Sequence, residues 1–354
     1  MNDWNRRQFM AAAAVMGAKA AYGAAGSGRI RIGQIGTAHA HAAGKMETMR
    51  KMADLYEVVG VVEPDEKRWA AAAKDKNYQG LMWLTEEQLL NIPGLTAVAV
   101  ETSVRDLAPT AQRCAEAGLF IHLDKPAGES MATFRKLLAT ATAKKRIVQM
   151  GYMLRYNPGM QLVYQAAAEG WLGEIFALHG EMSKRQDAGR VAMAEYRGGM
   201  MFELGCHLLD SVVKVLGRPQ TVTPVIRQTH FKNDDLADNM LAVLEYPKAT
   251  ATIRSSLLDF AGGARRQMVV SGTEGTIELK PLEPAAVALT LSKDHGKYRK
   301  GTQAITPPKS GGRYDGDFAD LAKVIRGEKA FEWTVEHDLA AHETILRASG
   351  LPVD

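Results

Sequence analysis

From Gly28 to about Gly151, short apolar runs alternate with stretches in which apolar residues recur every three or four positions. "RIRIGQI", "EVVGVVE", "LMWL", "TAVAV", "FIHL" and "IVQM" have the length and composition of buried strands. Between them lie helical patterns: "HAAGKMETMRKMADLY", a segment from Asp65, one from Thr85 with Gln88 completing a capping box, "APTAQRCAEAG", and "MATFRKLLATATAKK" capped by Ser130. Strands regularly separated by helices predict an α/β domain with a parallel, doubly wound sheet over residues 28–151.

After Gly151 the pattern changes. A helix around Met160 to Glu169, a strand "EIFALHGEM" and a helix beginning near Phe202 lead into strand-turn-strand units. "NMLAVLEY" turns at Pro247-Lys248 into "ATATIRSSLLDF", and "RRQMVVSG" turns at Thr273-Glu274 into "GTIELK". Hairpins with alternating polarity predict an α+β domain with an open, largely antiparallel sheet over residues 152–312. The basic, Gly- and Pro-rich stretch from Ser292 to Gly316 reads as a solvated loop, and two helices within residues 313–354 are expected to pack back on the first domain.

At 354 residues the chain has room for these two domains, and the formal charge of +4 comes without arginine-rich tracts, which argues against a nucleic-acid partner. Residues 1–27 stand apart. Arg6 and Arg7 precede Phe9 and an alanine-rich stretch interrupted by Lys19, the pattern of a twin-arginine (Tat) export signal rather than a membrane span. The expectation is passage through the Tat translocon to the periplasm, or a cytoplasmic protein if the signal does not function, with no stable membrane insertion. Cys114 and Cys206 are too few for a disulfide framework and read as buried fillers.

The first strand-to-helix turn, "IGQIGTAHAHAAG", places Gly36, Ala38 and His41 where a dinucleotide fingerprint has three glycines. The turn still follows a strand and opens a helix, so its amide groups and helix dipole face an anion, making Gly36, Thr37, Ala38 and His39 candidate cofactor contacts. A His-x-His pair opening a helix points its side chains in different directions, so no metal is expected at His39 and His41. Glu63 ends the second strand, where an acid accepts hydrogen bonds from an adenine ribose and repels a 2′-phosphate, which favours NAD over NADP. Lys125 lies at a carboxyl edge of the sheet, its backbone fixed by Pro126. In "FELGCHLLD", Glu203, His207 and Asp210 fall at i, i+4 and i+7 on one helix face. Arg155, Tyr156 and Asn157 open the second domain beside the interdomain cleft, as candidate substrate contacts; Arg155 could equally tie the domains together.

Five segments, in this order and spacing, resemble the glucose-fructose oxidoreductase and inositol dehydrogenase family (Gfo/Idh/MocA): "IGTAHAH", the acid Glu63, "DKP" at Asp124 to Pro126, "YMLRYNPG" at Tyr152 to Gly159, and "GGMMFELGCHLLD" at Gly198 to Asp210. The resemblance covers nearly all of the chain after the N-terminal segment. It implies an N-terminal Rossmann domain, an NAD(P) cofactor, and hydride exchange with a sugar or cyclitol hydroxyl; export, away from free nicotinamide cofactor, further implies that the cofactor is tightly held. By the same resemblance Lys125 matches the lysine beside the reacting alcohol, Glu203 stands where an aspartate is common, His207 matches the histidine, and Thr102 and Ser103 line the nicotinamide edge. Asp124 replaces the usual Glu, and "ETSVRD" departs from the common Thr-Pro segment. The proton then passes to His207, Lys125 stabilises the alkoxide, and Glu203 orients the imidazole or binds a neighbouring hydroxyl. Asp210 reads as structural. Such proteins commonly pair through the face of the open sheet, so a homodimer or homotetramer is expected. Two other readings remain: an NAD-dependent glycoside-cleaving enzyme and a non-catalytic sensor.

Overall fold

The computed structural model describes residues 28–185, 190–194, 196–230, 234–309 and 311–354. The paired arginines Arg6 and Arg7 and the rest of the signal-like segment lie outside the described residues. Among the described residues, no helix is long and apolar enough to cross a membrane.

The first domain is a six-stranded parallel sheet in the order β3-β2-β1-β4-β5-β6. Its strands are β1 (Ile30–Ile35), β2 (Tyr56–Val62), β3 (Trp83–Leu84), β4 (Ala97–Val100), β5 (Phe120–Leu123) and β6 (Val148–Met150). The central strands β4 and β5 are buried at every position, as a sheet covered on both faces requires. The covering helices are α1 (Ala42–Lys51), α2 (Glu66–Ala72), α3 (Glu86–Leu90), α4 (Val104–Glu116) and α5 (Met131–Ala143). Thr85 and Ser130 cap their helices as the sequence predicts, Thr85 with the full capping box to Gln88, and Asp65 caps α2.

The second domain is an eight-stranded mixed sheet in the order β14-β13-β12-β11-β7-β10-β9-β8. Its strands are β7 (Ile175–Glu181), β8 (Thr221–Arg227), β9 (Asn239–Glu245), β10 (Thr250–Ser256), β11 (Gln267–Gly272), β12 (Gly275–Leu279), β13 (Val287–Leu291) and β14 (Gly301–Ile305). Every pairing is antiparallel except β7 with β10. One correction concerns Ser292 to Gly316, which is not wholly loop: Gly301–Ile305 pairs with β13 as the sheet's edge. Its positions are mostly exposed, so it carries little hydrophobic alternation to read. The opposite edge, β8, holds Pro224 at mid-strand, which an edge position tolerates because one side of the strand needs no ladder donor.

Helices α6 (Pro158–Ala168) and α7 (Cys206–Leu216) pack beneath this sheet. Of the two closing helices, α8 (Asp315–Ile325) joins the first domain's core, where Phe318 sits edge-on to Tyr56 and its carbonyl accepts the Tyr56 hydroxyl. The last, α9 (Val335–Ala348), contacts α7 and β8 of the second domain and α5 of the first, and so bridges both.

Candidate active site

The carboxyl ends of β1, β2 and β4 open onto a cavity of about 400 Å³ lined by Gly36, Ala38, Glu63, Arg68, Thr102 and Ser103, among others. Gly36 has φ +91°, and a Cβ there would lie 2.6 Å from the Thr102 amide nitrogen. Only glycine lets the turn approach β4 this closely. A larger cavity of about 550 Å³, lined by Leu138, Arg146, Trp333 and Asp338, lies between α5 and α9, away from the strand ends, and carries none of the predicted site residues.

Thr37 and His39 stand at the turn without their side chains on that cavity wall. The Thr37 amide and hydroxyl both donate to Glu63 Oε2, at 2.8 and 2.7 Å. Glu63 Oε1 accepts from the Asp65 amide at 3.0 Å and from Arg68 Nε at 3.3 Å. The Glu63 carboxylate thus lines the cavity with its oxygens already engaged, whereas the sequence assigned it to a ribose. The Thr102 hydroxyl donates to the Ser103 carbonyl, and the Ser103 hydroxyl to Asp106.

The two histidines of the turn do not diverge as expected. His39 Nδ1 lies 2.8 Å and His41 Nδ1 3.2 Å from Asp124 Oδ2, because the chain coils through a turn before α1 begins and brings both rings to one carboxylate. Their ligand atoms are spaced closely enough for a metal. Yet the Lys45 ammonium, wholly buried, already sits 2.7 Å from the same oxygen and 2.9 Å from Glu101. It supplies the cation this cluster needs. Burial opposes ionisation of Asp124, but His39, Lys45 and His41 hold its pKa well below the ordinary range. Glu101 is pushed up by burial and by Asp124, while burial takes His41 down to about 4.

Lys125 follows Asp124, is joined to Pro126 by a cis bond, and is 1 % exposed. Its ammonium donates to the Glu203 main-chain carbonyl at 2.6 Å and lies 3.8 Å from Glu203 Oε1. Burial disfavours that charge, but the Glu203 carboxylate together with Cys206, Tyr196 and Asp124 outweighs it and the net shift is upward. His207 is 1 % exposed, its Nδ1 buried without a hydrogen-bond partner, and burial followed by the Lys125 charge takes its pKa well below 6.5.

Glu203 does not orient His207. Residues Met201–Gly205 form a π-helical turn ahead of α7, so i, i+4 spacing no longer stacks the two side chains. Glu203 instead faces Lys125 and Lys184, whose ammonium lies 3.4 Å from its carboxylate. Lys184 had no signal in the sequence: it follows β7 outside any periodic element. Tyr196, whose pKa burial raises to about 12 against the opposing Lys125 charge, likewise carries no sequence signal.

Arg155, Tyr156 and Asn157 are committed elsewhere. Arg155 is fully buried, paired with Asp210 at 2.7 Å and Asp338 at 2.5 Å, and stacked on Trp333. Its partners lie on α7 and on α9, the helix that contacts both domains. The Tyr156 hydroxyl donates to Asp320, and Asn157 caps α6 while donating to the Leu282 carbonyl. The 3-10 turn Met153–Tyr156 sets Tyr156 and Asn157 on the wall of a separate cavity of about 180 Å³, which Glu283 and Arg313 also line.

Two family descriptions match this chain: an oxidoreductase family with an NAD-binding Rossmann fold over residues 30–152, and the GFO/IDH/MocA C-terminal domain over residues 160–278. The uncharacterized oxidoreductase YdgJ of Escherichia coli (strain K12) is 25 % identical over 263 residues, 68 % of this chain and 74 % of that protein. Among solved structures, levoglucosan dehydrogenase in complex with NADH and levoglucosan superposes with a TM-score of 0.76 at 16 % identity, covering 91 % of this chain and 97 % of that one. Aldose-aldose oxidoreductase from Caulobacter crescentus, complexed with glycerol, gives 0.75 at 17 % identity over 91 % and 98 %.

Proposed function

From the premise that the chain belongs to the Gfo/Idh/MocA family of NAD-binding oxidoreductases, we propose that it interconverts a hydroxyl and a keto group on a sugar, cyclitol or sugar derivative, with a tightly held nicotinamide dinucleotide. The carrying observation is the buried Lys125 ammonium at the carboxyl end of β5, with the neutral imidazole of His207 within reach of its charge. A dinucleotide suits the cavity above β1, β2 and β4, where Gly36 and Ala38 allow close approach and the start of α1 faces any phosphate. When bound, its nicotinamide would supply the hydride acceptor or donor.

The chain's own groups handle the proton and the charge. With Nδ1 of His207 sealed, proton exchange with a substrate hydroxyl falls to Nε2, and burial keeps the ring in the neutral form that accepts it. Lys125, held by the Glu203 carbonyl, stabilises negative charge on the reacting oxygen where water is excluded. Glu203 keeps that ammonium charged. The dehydrogenase and oxidoreductase neighbours, one carrying NADH, support this reading.

The Arg6–Arg7 segment supports export with the cofactor already bound. The test is to denature the purified protein and quantify released dinucleotide by mass spectrometry, which is expected to find it near stoichiometric. Lys125→Ala and His207→Ala should each cut turnover by about 10²-fold or more while leaving cofactor affinity within a few fold. A protein that comes empty and binds neither NAD(H) nor NADP(H) would overturn the proposal.

A further inference from the structure

Around the Lys125 ammonium, the described residues carry more cationic than anionic side chains. Glu203 is, among the described residues, the carboxylate within 4 Å of Lys125 and also the one within 4 Å of Lys184, so one anion serves two ammonium groups. Asp124, next in the chain to Lys125, is taken up by Lys45, His39 and His41. Arg266 enters from the start of β11: its Nε–H donates to the Ser183 carbonyl at 3.3 Å, one residue from Lys184. Its nearest carboxylate is Glu283, 3.9 Å away, and that group is held more closely by Arg313 at 3.1 and 3.2 Å. Among the described residues, four cations, Lys125, Lys184, Arg266 and Arg313, therefore share two carboxylates, Glu203 and Glu283, and burial favours the neutral imidazole at His41 and His207.

The imbalance is felt locally. Burial lowers the Lys184 pKa, and Lys125 and Arg266 add to that drop beyond what Glu203 restores. Arg266 is lowered as well, by burial first and then by Arg313, against Glu283. Side-chain exposure grades from 22 % at Lys184 and 15 % at Arg266, through 10 % at Glu203, to 1 % at Lys125. Lys184 and Arg266, each sharing its carboxylate with a second cation, are thus the more exposed of the group, and Glu203 links Lys184 to the ammonium at the reacting position. Half-buried charges that share a partner are only partly compensated, and a bound anion relieves the remaining cost.

We infer that the substrate is an anionic sugar, whose carboxylate or phosphate is received between Lys184 and Arg266 while the hydroxyl to be oxidised lies at Lys125. This rests on the oxidoreductase reading above and adds the substrate class. A planar guanidinium beside a mobile ammonium suits an acidic group displaced from the reacting carbon by part of a sugar ring.

The test uses the full-length protein loaded with NADH, whose binding is first confirmed by fluorescence titration. Affinities are then measured for D-glucose, D-glucuronate, D-gluconate and D-glucose 6-phosphate, in the wild type and in Lys184→Met and Arg266→Met. At least one anionic sugar is expected to bind about tenfold or more tightly than glucose, with the advantage weakening as salt is raised and lost in either variant. Preference for glucuronate or gluconate assigns a carboxylate, and preference for the 6-phosphate a phosphate. Equal affinity for glucose and the anionic sugars, no measurable affinity for any anionic sugar, or a preference unchanged in both variants overturns the inference. Failure to bind NADH overturns the oxidoreductase reading itself, and the two failures are read separately.

Discussion

Asp317, on α8, is sealed in the first domain's core with neither carboxyl oxygen hydrogen-bonded, and burial pushes its pKa up to about 8, with Lys45 opposing the rise. Between pH 4 and 8 the folded protein therefore holds a proton there that the unfolded chain releases. Stability from this group is complete below about pH 4 and is lost as pH rises toward 8, at up to about 1.4 kcal/mol per pH unit. Asp317→Asn removes the titration and should flatten that slope. Urea unfolding of both proteins at pH 5 and pH 8 checks it, and parallel losses in the two would refute it. Residues differ in how readable they were. Lys125 was legible because a strand end and a proline bracket it in sequence. Lys184 and Arg266 were not, because their meaning comes from Glu203 and Glu283, which no helical or strand spacing pairs with them in sequence.

Elements show the same division. The parallel sheet and its helices were legible because buried strands and capped helices write their own periods, whereas the π-helical turn at Met201–Gly205 has no distinct pattern. Reading it as α-helix put Glu203 over His207, and the extra backbone in the turn gives Glu203 to the lysines instead. In the nucleotide turn, Gly36 is the element's fixed point. Gly36→Ala must either hold alanine at φ +91°, costing about 1–3 kcal/mol, or push the Thr102 and Glu101 backbone away from a Cβ 2.6 to 2.8 Å distant. Both routes deform the cavity wall at Thr102. NADH affinity, followed by fluorescence quenching, is expected to fall about tenfold or more together with a lower Tm, and unchanged affinity would show that the turn does not meet the cofactor.

Across the whole molecule, the site exists only if two domains keep their relative position, because Lys125 comes from the first sheet and His207 and Glu203 from the second domain. Arg155, just past the end of β6, joins them: it is paired to Asp210 on α7 and Asp338 on α9, and His337 adds a 2.9 Å contact to Asp210. Asp210 lies three residues after His207 on the same helix. The guanidinium therefore fixes the helix that carries the imidazole against the strand end that precedes the domain junction. Arg155→Met would leave two buried carboxylates without their cation, at a cost of about 3–5 kcal/mol. Calorimetry should show a lower Tm, and the surviving folded protein should retain NADH affinity while losing turnover, since the cavity over β1 and β4 does not involve Arg155. Arg155→Lys keeps the charge without the fork and should fall between the two. A loss below about 1 kcal/mol in Arg155→Met, too small for a broken buried pair, would mean that α9 alone holds the domains in register.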